Sequence, residues 1–126
     1  MRRLLLDTNV VVWLLLGQRP SVTETARAAL EDERSLVSVS AVSVWEIAIK
    51  RSLGKLQIED GWARALTRLS FDAMPITAEH AERVEQLPWH HRDPFDRLLI
   101  AQASLEDRAL VSADARLSAY GVELVW

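Results

Sequence analysis

Four acidic residues stand out by what precedes them. Asp7 directly follows the apolar run Leu4–Leu6, and Asp114 comes soon after the apolar stretch Ala109–Val111. Glu46 falls in the first two turns of an apolar-striped segment that begins at Ser40, and Asp96 sits two residues after Pro94. Short apolar runs read as buried strands and the striped segments as helices, so each acid belongs where a strand ends and a helix begins. Asp7 and Asp114 are expected on neighbouring strands at the centre of the sheet. Clustered carboxylates repel one another unless a cation lies between them. Hard divalent ions take oxygen ligands, and Mg²⁺ typically uses one or two carboxylates together with waters and phosphate oxygens. A carboxylate cluster with neither His nor Cys among its ligands points to Mg²⁺ or Mn²⁺ rather than zinc. Such an ion suits phosphodiester hydrolysis, because it lowers the pKa of water and neutralises developing charge.

Each acid taken singly also has a plainer reading. Helix N-termini attract Asp and Glu through capping and the macrodipole. Asp7 and Asp114 are candidate N-caps, and Asp93 is a candidate cap for the helix that carries Asp96. Ser43-Val-Trp-Glu46 has the pattern of a capping box, and Glu46 lies one turn before Lys50. Jointly the capping account weakens, because all four acids fall on one edge and Thr8, Asn9 and Ser112 surround them with small polar groups.

The elements that position these residues follow from periodicity and punctuation. Val10–Leu16 is the longest apolar run, closed by Gly17 and Pro20. Ser21-Val-Thr-Glu24 has a capping-box pattern that starts a helix to about Glu33. Leu36–Val39 reads as a strand, 40–53 as a helix stopped by Gly54, and Trp62, Leu66 and Leu69 mark another helix. Phe71–Ile76 reads as an edge strand, since Pro75 cannot donate to a ladder. Thr77 caps a helix to about Gln86, a loop spans 87–93, and Asp93-Pro94 opens the next helix. Ala109–Val111, a short helix at 114–119 and Val122–Val125 complete the order. Short, non-alternating apolar strands that alternate with helices indicate a parallel sheet covered on both faces, an α/β three-layer sandwich. Ligands of such folds bind outside the carboxyl ends of the strands.

Composition sets the remaining bounds. The chain has 126 residues, 49% hydrophobic and 26% charged, with no cysteine. That is one domain's worth, read as 1–126, with no disulfide framework and no thiolate chemistry. The apolar run falls well short of the ~20 residues of a membrane span, and Asp7 and Asn9 interrupt any leader-like segment, so a cytoplasmic protein with no membrane partner is expected. Net charge is −3, and setting the four acids aside leaves +1. A broad basic face is therefore not expected, and nucleic-acid affinity would rest on local contacts. Lys50, Arg51, Lys55, Arg92 and Arg97 are candidates for a phosphate-binding rim, although each alone reads as a solvated or paired charge. His90 and His91 lie in the 87–93 loop and read as solvated.

The motifs resemble a known family. Leu4-Leu5-Leu6-Asp7-Thr8-Asn9 is similar to the opening motif of PIN domains, and Ser43-Val-Trp-Glu46-Ile47 to the second. Asp93-Pro94-Phe95-Asp96-Arg97-Leu98-Leu99-Ile100-Ala101-Gln102-Ala103 resembles the third-acid helix of VapC-type PIN toxins, and Val111-Ser112-Ala113-Asp114 the fourth motif, with Ser where many members have Thr. The resemblance implies a parallel sheet of order 3-2-1-4-5 and Mg²⁺- or Mn²⁺-dependent endoribonuclease activity. It also implies a homodimeric toxin of a type II toxin–antitoxin module, inhibited by a cognate antitoxin. Carried over, it places Asp7, Glu46, Asp96 and Asp114 at the metal, with Asn9 and Ser112 supporting them through hydrogen bonds. Asp93 is a possible fifth acid but reads better as a cap.

Three rivals share parts of the pattern. A haloacid-dehalogenase-like phosphoryl-transfer enzyme would want an acid two residues after Asp7, where Asn9 stands. A receiver-like module needs an acidic pair after the first strand and an acceptor after the third, and has neither here. A catalytically silent PIN-like binding module would not need all four acids.

Overall fold

The computed structural model describes residues 2–126. Five strands, β1 (Arg3–Leu6), β2 (Leu36–Ser40), β3 (Asp72–Met74), β4 (Ala109–Val111) and β5 (Leu124–Val125), form one sheet of order β3-β2-β1-β4-β5. Every pairing is parallel, with Leu5 opposite Ser38 on one side and Leu110 on the other. The expected three-layer α/β sandwich of order 3-2-1-4-5 is the one observed. Six α-helices cross over between strands: α1 (Thr8–Leu15), α2 (Glu24–Glu31), α3 (Ala41–Ser52), α4 (Trp62–Arg68), α5 (Ala78–Arg83) and α6 (Pro94–Leu105).

The central strand shows why its sequence is an unbroken apolar run. Leu4, Leu5 and Leu6 are all fully buried. Leu4 and Leu6 join one core cluster with Val10, Val11, Ile47 and Leu66. Leu5 points the other way and joins Val42, Leu99, Ile100, Leu110 and Leu117. Alternate side chains of a strand face opposite sides, so a strand with helices on both faces must be apolar at every position.

Several boundaries differ from the sequence expectation. The cap of α2 is Thr23, whose side chain accepts from the Ala26 N–H at 3.1 Å, while Ser21 ends a short 3₁₀ turn. The cap of α3 is Ser40, which accepts from the Val42 N–H, so Ser43 does not open a capping box. Ser43 is buried and bonds Thr8 instead. The edge strand is shorter than expected, Asp72–Met74, ending one residue before Pro75. The segment after Asp114 is a 3₁₀ helix, Ala115–Tyr120. Gly54, just past Leu53, has φ +70, the left-handed geometry that ends a helix at lowest cost on glycine.

The apolar run at α1 needs less outside help than its length suggests. Val10 and Val11 are fully buried, Val12–Leu15 are half-buried, and Leu16 is exposed. Trp13 packs on Trp126, with ring centroids 5.7 Å apart. Larger exposed apolar side chains lie elsewhere: Trp45 and Val44 on α3, Leu53 after it, and Trp89 in the loop before α6. Helices and Trp126 thus cover most of that run. Among the described residues, no helix is long and apolar enough to cross a membrane.

Candidate metal centre

The parallel topology brings the carboxyl ends of β1, β2 and β4 to one edge. Asp7 follows β1 and opens α1, with its backbone N–H donating to the Val111 carbonyl at 2.9 Å. It is the N-cap of α1 by position, but its side chain makes no capping bond. The carboxylate instead accepts from the Ser112 hydroxyl at 2.7 Å. That same hydroxyl oxygen accepts from the Asp114 N–H at 3.1 Å, so Ser112 ties the two acids together. Buried Thr8 bonds Ser43 at 2.9 Å, joining the start of α1 to α3.

Glu46 projects from the second turn of α3 and is buried. Its Oε2 lies 2.6 Å from Lys50 Nζ, and its Oε1 is buried with no hydrogen-bond partner. Asp96 sits in the first turn of α6, whose cap is Asp93; the Asp93 carboxylate accepts from the Asp96 N–H at 3.0 Å. Asp93 thus acts as a cap. Asp114 caps the 3₁₀ helix and is held by Arg116 through two charged bonds, Nε to Oδ1 at 2.9 Å and Nη2 to Oδ2 at 2.8 Å.

Burial and mutual repulsion set the charges. Burial is the main cause that raises the Asp7 carboxyl above its ordinary range, opposed by Ser112 and helped by Glu46 and Asp114. Asp96 is pushed up to about 6, first by burial and then by Asp7. Asp114 goes the other way, lowered chiefly by its hydrogen bonds with Arg116. Lys50 is raised by its bond to Glu46. Burial, with repulsion added to it, thus shapes Asp7 and Asp96, while Asp114 is governed by an arginine.

The oxygens suit a hard divalent cation. Asp7 and Asp96 are carboxyls whose charged forms are disfavoured where they stand, and Glu46 Oε1 is a buried acceptor with nothing to accept. A cation between them would relieve both conditions.

Sequence reasoning misplaced some neighbours. His91 is not a solvated loop residue: its Nε2 lies 2.7 Å from Asp96 Oδ2 and the side chain is 12% exposed. One ligand atom each from His91, Asp96 and Asp114 lies within 4.8 Å of the others. The statement that no histidine accompanies the acids is corrected accordingly. His90 is exposed, with its ring edge on Tyr120. Asn9 is exposed and makes no side-chain hydrogen bond among the described residues, so it does not brace the acids.

The basic rim is smaller than expected. Arg97 is 2% exposed. Its guanidinium donates to the carbonyls of Val84, Leu87, Pro88 and His91 and to the Tyr120 hydroxyl, and stacks 3.8 Å from the Trp89 ring. It is a scaffold for the 87–93 loop, not a phosphate contact. Arg51 donates to the Ile58 carbonyl and to Asp60, and Lys50 is committed to Glu46. Lys55 and Arg92 remain exposed, with no ion pair among the described residues. Arg116, overlooked in the sequence, stands at the site itself. Its only signal was the two-residue spacing from Asp114.

The PIN domain family model matches residues 4–123. The chain belongs to the PIN domain family. Its fold is similar to "VapBC2 from Rickettsia felis bound to a DNA fragment from their promoter", at TM-score 0.72 and 14% identity, covering 97% of this chain and 96% of that one. It is also similar to VapBC-1 from nontypeable Haemophilus influenzae (TM-score 0.70, 13% identity, 97% and 96% covered). DNA-bound VapBC from Salmonella typhimurium gives TM-score 0.68 and 18% identity, with 98% and 97% covered. Among curated protein sequences none matches the chain.

Proposed function

We propose that this chain is a metal-dependent endoribonuclease, the toxin of a type II toxin–antitoxin module, acting in the cytoplasm on RNA phosphodiester bonds at the Asp7–Glu46–Asp96–Asp114 site. The observation that carries this reading is the convergence of four acids from distant parts of the chain at one sheet edge, with Asp7 and Asp96 pushed up by burial and by acidic neighbours. PIN domains are generally nucleases, and the similar structures are toxin–antitoxin complexes, which supports a cognate antitoxin as partner.

Asp7, Glu46, Asp96 and Asp114 would hold Mg²⁺ or Mn²⁺. When bound, the ion supplies positive charge against the developing charge of the phosphoryl group. The chain's own part is orientation. Ser112 fixes the carboxylate of Asp7 and the backbone of Asp114 with one hydroxyl. Asp93 caps α6 and so sets the position of Asp96. Lys50 and Arg116 pair with Glu46 and Asp114 and would be the basic groups at the site available to a phosphate. An antitoxin arginine would find the same carboxylates, because its planar fork pairs with them bidentately. Homodimerisation belongs to this proposal, with exposed Val44, Trp45 and Leu53 as the available apolar surface.

The deciding experiment incubates purified protein with total RNA and Mg²⁺ or Mn²⁺ and sequences the new ends. Cleavage by wild type that falls by about 10²-fold or more in Asp7→Asn is expected, the scale of losing one preorganised electrostatic group at a reacting centre. Equal cleavage by both proteins would remove the acids from the chemistry.

A further inference from the structure

Three arginines stand at the amino edge of the sheet, the end opposite the acids. Leu4 is paired with Ala109, so Arg3 and Arg108, each one residue earlier, are neighbours at the amino ends of β1 and β4. With Arg2 they line a cleft of about 730 Å³, a volume in the range of ligand sites. The nearest carboxylates are engaged elsewhere. Glu123 pairs with Arg2 at 2.7 Å, and Glu106 meets His80 Nε2 at 2.8 Å. Exposed Arg3 makes no ion pair among the described residues. Arg108 donates from Nη1 to Ser38 Oγ at 2.8 Å. Its Nε is buried without a partner, and its Nη2 makes no hydrogen bond among the described residues. Burial, and after it Arg3, lowers the Arg108 guanidinium below its ordinary value. This edge therefore mirrors the acid edge, with like charges, here positive, held side by side.

We propose that this cleft holds the sugar–phosphate backbone of an RNA strand whose scissile bond lies at the acids. The proposal rests on the reading of the acid edge as a ribonuclease centre and adds where the rest of the strand is held. Tyr120 borders both places. It lines the cleft, and its hydroxyl accepts from the N–H of His91, whose ring contacts Asp96. At about 3.3 Å per residue, Arg3 and Asp7 lie ~13 Å apart along β1, the reach of a few nucleotides. Arginine forks pair bidentately with phosphate oxygens. Asp107 and Glu123 also line the cleft. Their carboxylates accept hydrogen bonds, which a ribose 2′-hydroxyl can donate. An acidic peptide would bring further carboxylates and be repelled by them, so the lining favours RNA over an acidic protein partner. A chain of net charge −3 leaves RNA affinity to local contacts of this kind.

The test is fluorescence anisotropy of a labelled oligoadenylate over a range of salt, in EDTA so that metal-dependent cleavage is stopped. Wild type is compared with Arg3→Gln, Arg108→Gln and, as a control on α4, Arg68→Gln. Each of the first two should weaken binding several-fold at low salt. Each should also flatten the slope of log affinity against log salt by about 0.7, the value for one phosphate contact of a single strand. Arg68→Gln should leave the slope as it is. Arg3→Gln breaks no hydrogen bond among the described residues, so it decides the matter if Arg108→Gln, which loses Ser38, fails to fold. No RNA binding, unchanged slopes in both variants, or equal flattening in Arg68→Gln would overturn the proposal. So would a deoxyoligoadenylate that binds as tightly as the RNA, or a polyglutamate that displaces it with the same arginine dependence. RNA held through Arg3 and Arg108 by a protein that cleaves none with Mg²⁺ or Mn²⁺ would sink the nuclease reading and leave the cleft standing. Cleavage with unchanged slopes would do the reverse.

Discussion

Asp7 and Asp96 form one half of the acid cleft, Glu46 and Asp114 the other, and the halves handle negative charge in opposite ways. Among the described residues, no lysine or arginine pairs with Asp7 or Asp96. Asp7 has the Ser112 hydroxyl, Asp96 has an imidazole, and both carboxyls are raised. Glu46 is matched by Lys50 and Asp114 by Arg116, and Asp114 is lowered. The four acids are therefore not four bare charges. Glu46 and Asp114 are neutralised by Lys50 and Arg116, and Asp7 and Asp96 remain as the electrostatic demand that a cation would meet.

The first half depends on its scaffold, and breaking that scaffold should have the largest effect. Arg97→Met removes the donors of four loop carbonyls, each charged hydrogen bond being worth about 1.5–3 kcal/mol. We expect a stability loss of about 3 kcal/mol or more in urea unfolding. A change below about 0.5 kcal/mol would restore Arg97 to the role of a surface phosphate contact.

A smaller effect separates the halves by pH. Asp96 binds its proton more tightly folded than unfolded, so metal-free stability should rise as pH falls through about 6 toward the ordinary carboxylate range. Between pH 7.5 and 5 the wild-type Tm should gain a few degrees relative to Asp96→Asn, about 1 kcal/mol corresponding to ~4 °C in a domain of this size. Asp114 has the opposite sign. Its contribution is present at neutral pH and is lost only as pH falls through its depressed value, so Asp114→Asn should lower Tm at pH 7. Melts in which both variants behave alike would erase the distinction between the halves.

The smallest effect concerns the basic side chains. An exposed ion pair is weak, so Arg116→Ala should tighten Mn²⁺ binding only a few-fold by calorimetry. Weaker binding in that variant would mean that Arg116 helps to hold the site together rather than occupying it.

Much of this was legible in the residues. The order of strands and helices followed from apolar runs and punctuation, and Asp7, Glu46, Asp96 and Asp114 could be assigned to one edge because parallel strands all end there. What escaped depends on contacts distant in sequence. Arg97 looked like a surface charge because nothing local reveals that a loop will fold its carbonyls around the guanidinium. His91 looked solvated because its partner became visible only once α6 and the 3₁₀ helix had closed on the loop. The capping errors at Ser21 and Ser43 were local ambiguities, since Thr23 and Ser40 offer the same hydroxyl a few residues away.

The middle of the sheet joins the two ends of the chain: β1, at residues 3–6, is flanked by β4, at 109–111. Asp7 donates its backbone N–H to the Val111 carbonyl and accepts a side-chain bond from the Ser112 hydroxyl. During synthesis, therefore, Asp7 waits more than a hundred residues for the groups that orient it. Closing so long a loop is slow relative to local helix formation. A growing polypeptide would carry an unfinished cleft until β4 and Ser112 had left the ribosome and reached β1. Topology alone thereby keeps the acid cleft incomplete in partly made chains.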